Sequence, residues 1–146
     1  MTNGIEVFDT DFISEYVRRK PEATGRWQRT PLVCRFTTSA SEAELIGPRY
    51  RHLLTAADEV ELIEAQRRLT VLRDVLANAF AGVFPVDLLA ARIYLELKHV
   101  QKLSKVGNAD LLIAAIALRH QATLVTGNVQ DFRKVPGLKV EDFRRR

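Results

Sequence analysis

Three carboxylates far apart along the chain, Asp9, Glu44 and Asp110, occupy positions from which acidic groups can leave bulk water. Asp9 follows the apolar residues Ile5, Val7 and Phe8, Glu44 lies early in a helix-like segment, and Asp110 is the one charge in the apolar stretch 109–118. Each has an ordinary structural use alone. Asp9 can cap a helix, Glu44 can sit solvated on one, and Asp110 can complement a helix dipole. Gathered at one place they have another consequence, because two carboxylates ~4 Å apart repel by about 4 kcal/mol at an effective dielectric of 20. Such a cluster requires protons or a cation. An all-oxygen donor set without histidine or thiolate favours a hard ion, Mg²⁺ or Mn²⁺, over zinc or copper.

The surrounding sequence must supply elements that bring these groups together. Residues 5–8 read as a strand ending at the acidic turn Asp9-Thr10-Asp11, after which Phe12, Ile13, Tyr16 and Val17 fall at helical spacing. Pro21 and Gly25 mark a polar loop as far as Thr30, and residues 32–38 form a β-favouring second strand. Ser39 or Ser41 is the expected cap of the next helix, which Gly47-Pro48 should interrupt or kink. From Asp58 to Phe80, Leu62, Ala65, Leu69, Leu72 and Leu76 recur in steps of three and four, which predicts a long amphipathic helix. Residues 83–86 read as a short strand, and Asp87 as the N-cap of a helix with Ala90, Ile93, Leu97 and Val100 on one face. A buried helix over 109–118, a strand over 122–125 and a short last strand over 138–140 complete the pattern. This alternation predicts an α/β fold with a mostly parallel sheet of four or five strands flanked by helices. Ligands of such sheets lie beyond the strand carboxyl ends, where Asp9 and Thr126 fall.

Composition narrows the function classes. A chain of 146 residues fits one domain and leaves little room for a two-domain enzyme, with a core expected over 1–141 and a basic tail over 142–146. At 47% hydrophobic and 27% charged residues, it is not a disordered polymer. The lone Cys34 cannot close an intrachain disulfide, and the scattered His52, His99 and His120 give no zinc site of ordinary spacing. A reducing, cytoplasmic setting is expected. The apolar run 111–118 is far below the ~20 residues that cross a bilayer, so no membrane association is expected. A net charge of +4 suits contact with a polyanion.

Four segments carry a family resemblance. Val7-Phe8-Asp9-Thr10, Ala43-Glu44-Leu45, Ala109-Asp110-Leu111-Leu112-Ile113-Ala114-Ala115 and Leu124-Val125-Thr126-Gly127-Asn128-Val129-Gln130-Asp131-Phe132 resemble, in that order, the motifs of PIN-domain ribonucleases, and most nearly those of VapC-type toxins. The resemblance implies a single PIN-like domain and a metal-dependent endoribonuclease. In it Asp9, Glu44 and Asp110 hold Mg²⁺ or Mn²⁺, and the segment 128–131 supplies a fourth polar group, Asn128 by family position or Asp131 by charge. Carboxylate-held metal can activate a bound water for attack on phosphorus, so no side-chain nucleophile is required. Thr10, Asp11, Thr126 and Asn128 would orient the carboxylates or a metal-bound water. Asp11 stands where the family usually has asparagine and adds a negative charge. A VapB-type antitoxin is the partner the resemblance implies, and a homodimer is a further expectation from it.

An acidic site that cuts RNA needs basic surroundings. Residues 16–35 hold Arg18, Arg19, Lys20, Arg26, Arg29 and Arg35 against Glu22 alone, and Trp27 among them can stack on an unpaired base. Lys98, Lys102 and Lys105 form a second basic group and Arg133 with Lys134 a third, while residues 144–146 read as a frayed end. Solvated surface is the ordinary role of such charges. Two other functions fit parts of the sequence. One is a PIN-like domain that binds RNA or protein without cleaving. The other is a haloacid-dehalogenase-type phosphatase using Asp9-Thr10-Asp11, against which stands the absence of a Gly-Asp-x-x-x-Asp companion.

Overall fold

Successive residues of a strand point to opposite faces of its sheet, and Val7 and Phe8 thereby enter two cores at once. The computed structural model describes residues 4–145. Its five strands are β1 (Glu6–Phe8), β2 (Arg35–Thr38), β3 (Gly82–Phe84), β4 (Thr123–Thr126) and β5 (Lys139–Asp142). All pair in parallel in the order β3-β2-β1-β4-β5. The helices are α1 (Thr10–Val17), α2 (Pro21–Gln28), α3 (Ser39–Thr55), α4 (Glu59–Asn78), α5 (Leu88–Leu97), α6 (Asn108–Arg119) and α7 (Val129–Phe132). The expected α/β architecture is therefore present.

Val7 and Leu124 pair in register and enter one apolar cluster, built with Ile113 and Ala114 of α6, Leu97 of α5 and Phe132 of α7. Phe8 and Val125, the next pair, enter the other, with Phe12, Trp27, Leu45, Leu72, Phe80 and Phe143. The helix over 109–118 is apolar all round because α6 is covered on most sides, as the buried run from Ile113 to Ala117 demonstrates. Among the described residues no helix is long and apolar enough to cross a membrane.

Several boundaries differ from expectation. The polar loop through Thr30 is helical, because Pro21 starts α2 at a first-turn position where its missing N–H costs nothing, while Ala23, Arg26 and Trp27 turn inward. Only the second half of 32–38 is strand, residues 32–34 forming a 3₁₀ turn. The cap of α3 is Thr38, whose hydroxyl accepts from Ser41 N, rather than Ser39 or Ser41. Pro48 does not interrupt α3: a proline inside a helix removes one N–H, and packing of α3 along α4 retains the seventeen-residue helix. Val100 lies beyond the end of α5. The tail expected from residue 142 begins later, since Asp142 closes β5 and Phe143 is 2% exposed in the aromatic core.

Candidate active site

From β1 the chain runs outward through β2 to β3 and then crosses back to β4 and β5, so the strand order reverses between β1 and β4, and the carboxyl ends of these two strands are where a parallel sheet offers its ligand position. Asp9 sits there, 3% exposed, with both carboxylate oxygens engaged. One accepts from the backbone N–H of Phe12 at 3.0 Å, which caps α1. The other accepts from the hydroxyl of Thr126 at the end of β4. The capping role and the site position thus coexist in one side chain.

Thr126 begins a chain of polar contacts. Its oxygen accepts from the backbone N–H of Asn128 at 2.9 Å, fixing the turn after β4. The amide of Asn128 donates to Asp110 at 3.3 Å and to Asp131 at 3.4 Å. Asp110 reaches this point because it lies in the first turn of α6, and Asp131 because it lies on the short α7. On the other side of Asp9, the hydroxyl of Thr10 donates to Glu44 at 2.6 Å and lies 3.1 Å from the Ser41 hydroxyl. Glu44 and Asp11 are exposed, Asp110, Asn128 and Asp131 half-buried. Asn128 and Asp131, between which family position and charge do not decide, are hydrogen-bonded to each other.

The charges are close enough to feel one another. Burial pushes the Asp9 carboxyl up to about 7, its bonds to Thr126 and Phe12 oppose the rise, and the negative charges of Asp11 and Asp110 add to it. Asp110 rises to about 6 for the same first reason, reinforced by Glu44, Asp11 and Asp131 and opposed by Asn128. Among the described residues no salt bridge reaches Asp9, Glu44 or Asp110. Lys134 lies 3.7 Å from Asp131 at the rim.

Geometry and donor chemistry bear differently on a metal here. Among the described residues no group of three or more His, Cys, Asp or Glu side chains is arranged to enclose an ion directly. The chemistry nevertheless fits a hard divalent cation: the groups are oxygen donors held by neutral hydroxyl and amide donors, and nearby acids help to raise the carboxyls of Asp9 and Asp110.

Two members of the expected RNA-contacting group lie elsewhere. Trp27 is 5% exposed, edge-on to Phe8 and Phe80, because its large apolar surface is better covered by the aromatic cluster than by water. Arg26 is 5% exposed and ion-paired with Glu6 and Glu141, the compensation that lets a guanidinium leave water. Arg18, Arg19 and Arg29 are exposed. Ser41, Glu15 and Arg144 stand out in the structure but not in the sequence. Ser41 is tied to the site by contacts between residues about thirty apart in sequence, for which no local pattern exists.

Known proteins share this fold and parts of this sequence. A family model described as PIN domain matches residues 7–138. Ribonuclease VapC2 of Rickettsia felis is 47% identical over 38 residues, which are 26% of this chain and 28% of that protein, so the match spans little more than a quarter of that relative. The crystal structure of VapBC2 from Rickettsia felis, bound to a DNA fragment from their promoter, superposes with a TM-score of 0.71 at 22% identity, covering 94% of this chain and 97% of that one. The structure of VapBC-5 from Mycobacterium tuberculosis, a member of the VapBC family of toxin-antitoxin systems, gives a TM-score of 0.59 at 26% identity, covering 94% and 96%.

Proposed function

This chain belongs to the PIN-domain family, and from that premise we propose that it is a Mg²⁺- or Mn²⁺-dependent endoribonuclease, a VapC-type toxin neutralised by a VapB-type antitoxin. The observation that carries the reading is the nearness of Asp9, Glu44, Asp110 and Asp131 to one another, with Thr10, Thr126 and Asn128 bonded among them. The likeness to Ribonuclease VapC2 supports the activity, and the likeness to VapBC assemblies supports the partner. The proposed place of action is the cytoplasm.

Asp9, Glu44 and Asp110 would hold the ion, with Asp131 as the fourth carboxylate. A divalent ion so held lowers the pKa of a bound water and offsets charge developing on the phosphate oxygens. Thr126 fixes one oxygen of Asp9, Thr10 fixes one of Glu44, and Asn128 aligns Asp110 with Asp131. These neutral donors orient the carboxylates without cancelling their charge. The phosphatase alternative is not retained, because the chain matches the PIN domain over residues 7–138.

The test is cleavage of defined single-stranded RNAs with Mg²⁺, Mn²⁺ or a chelator, by the parent and by Asp110→Asn. Cleavage by the parent with metal, abolished by chelator and lowered about a thousandfold or more in the variant, is expected. Cleavage that survives the chelator, or that Asp110→Asn leaves intact, would contradict the proposal.

A further inference from the structure

An acidic site repels the polyanion it is to cut, so the attraction must come from cations close to the carboxylates yet not bonded to them. The carboxyl end of the chain supplies such cations. Phe143 N–H donates to Thr126 O at 3.2 Å, which brings residue 144 beside the turn at Gly127. The guanidinium of Arg144 lies so close over Gly127 that any Cβ there would fall within it. Glu15 on α1 ion-pairs with Arg144 and anchors it in that place. Helical rise puts Glu15 about 9 Å along α1 from Asp9, so the anchor holds Arg144 near the site while sparing its carboxylates a neutralising partner.

Beside Arg144 opens a cleft of about 340 Å³ whose lining includes Arg29 and Arg145, and in which Glu22 is the one carboxylate. Arg29 and Arg145 are 59% and 79% exposed, and their nearest carboxylates, Glu141 and Asp142, stand at 3.9 Å, beyond hydrogen-bond reach. Their planar forks therefore keep donors available for oxyanions. Gly127 links the two regions, one residue from Thr126 and in contact with Arg144.

We propose that this arginine cleft binds the phosphodiester backbone of single-stranded RNA, and that Arg144 is the positioning residue passing the strand from the cleft to the carboxylates. The inference rests on the endoribonuclease reading above. It also gives Gly127 a reason: a side chain there would displace the guanidinium.

The test follows cleavage of a single-stranded oligoribonucleotide with Mn²⁺ across a salt series by the parent, Arg144→Ala, Arg144→Lys, Gly127→Ala and the Arg29→Ala/Arg145→Ala pair. Arg144→Ala is expected to raise KM about tenfold with kcat within about twofold, and to flatten the salt dependence by roughly 0.7 logarithmic units for each phosphate it no longer neutralises. Arg144→Lys should restore part of the KM. Gly127→Ala should raise KM similarly, and combining it with Arg144→Ala should add little, as expected of residues acting through one another. Arg29→Ala/Arg145→Ala changes exposed side chains only and reads the cleft independently of any folding defect. Should the parent fail to cleave, binding of the same RNA to Asp110→Asn protein, read by anisotropy, still tests the cleft alone. Unchanged KM, RNA affinity and salt slope in Arg144→Ala and in the pair would overturn the proposal, as would competition by polyglutamate equal to that by polyuridylate.

Discussion

Carboxylates at two places in this molecule are treated oppositely. Glu6 and Glu141 face the buried guanidinium of Arg26, with Thr30 completing the network that joins β1, α2 and β5. Asp9, as deeply buried as Arg26, faces only a hydroxyl and a backbone N–H, and its charged neighbours are other acids. The same chemical group is thus compensated on one side of β1 and left uncompensated at its end. A buried ion pair with its partner present is part of the framework. A buried anion without one is a place where something positively charged is expected to bind.

The sharpest way to break this comparison is to remove the compensation where it exists. Arg26→Met strands Glu6 without its partner and should destabilise the protein by about 3–5 kcal/mol, seen as a lower denaturant midpoint with unchanged slope. Asp9→Asn removes an uncompensated charge, retains an oxygen for the α1 cap, and should lose little stability at neutral pH or gain some. Equal losses in both variants would erase the distinction.

A smaller effect is expected from pH alone. The Asp9 carboxyl holds its proton up to about 7 when folded, against 3.8 when unconstrained. Below that window both states are protonated; within it the native state binds more protons, so stability declines as pH rises and levels off above about 7. In chelator the melting temperature should therefore fall between pH 5 and pH 8, by roughly 5 °C or more. Asp9→Asn should flatten the decline. A melting temperature that rises over this interval would contradict the assigned direction.

The sheet was legible because its evidence is local. Val7-Phe8 and Leu124-Val125 are apolar pairs bounded by polar turns, and the steps of three and four from Leu62 to Leu76 lie within one helix. Asp9 and Thr126 could be placed because a parallel sheet exposes its carboxyl ends in common. The joining of Glu44 to Thr10 and of Asn128 to Asp110 spans 34 and 18 residues, and nothing in either neighbourhood specifies it. Trp27 and Arg26 looked like surface because their segment is basic. Their burial depends on Phe8, Phe80, Glu6 and Glu141, which only the tertiary fold brings to α2. Arg144 was hidden by its place near the chain end, where charge suggests solvent and only the packing of Phe143 reveals attachment.

Direct titration of the protein with Mn²⁺ near pH 7.5, followed by calorimetry in the absence of RNA, addresses the unpaired anions themselves. Saturable binding in the parent, lost in the Asp9→Asn/Asp110→Asn protein while its melting curve remains cooperative, is the predicted result. Indistinguishable isotherms for the two proteins would contradict it.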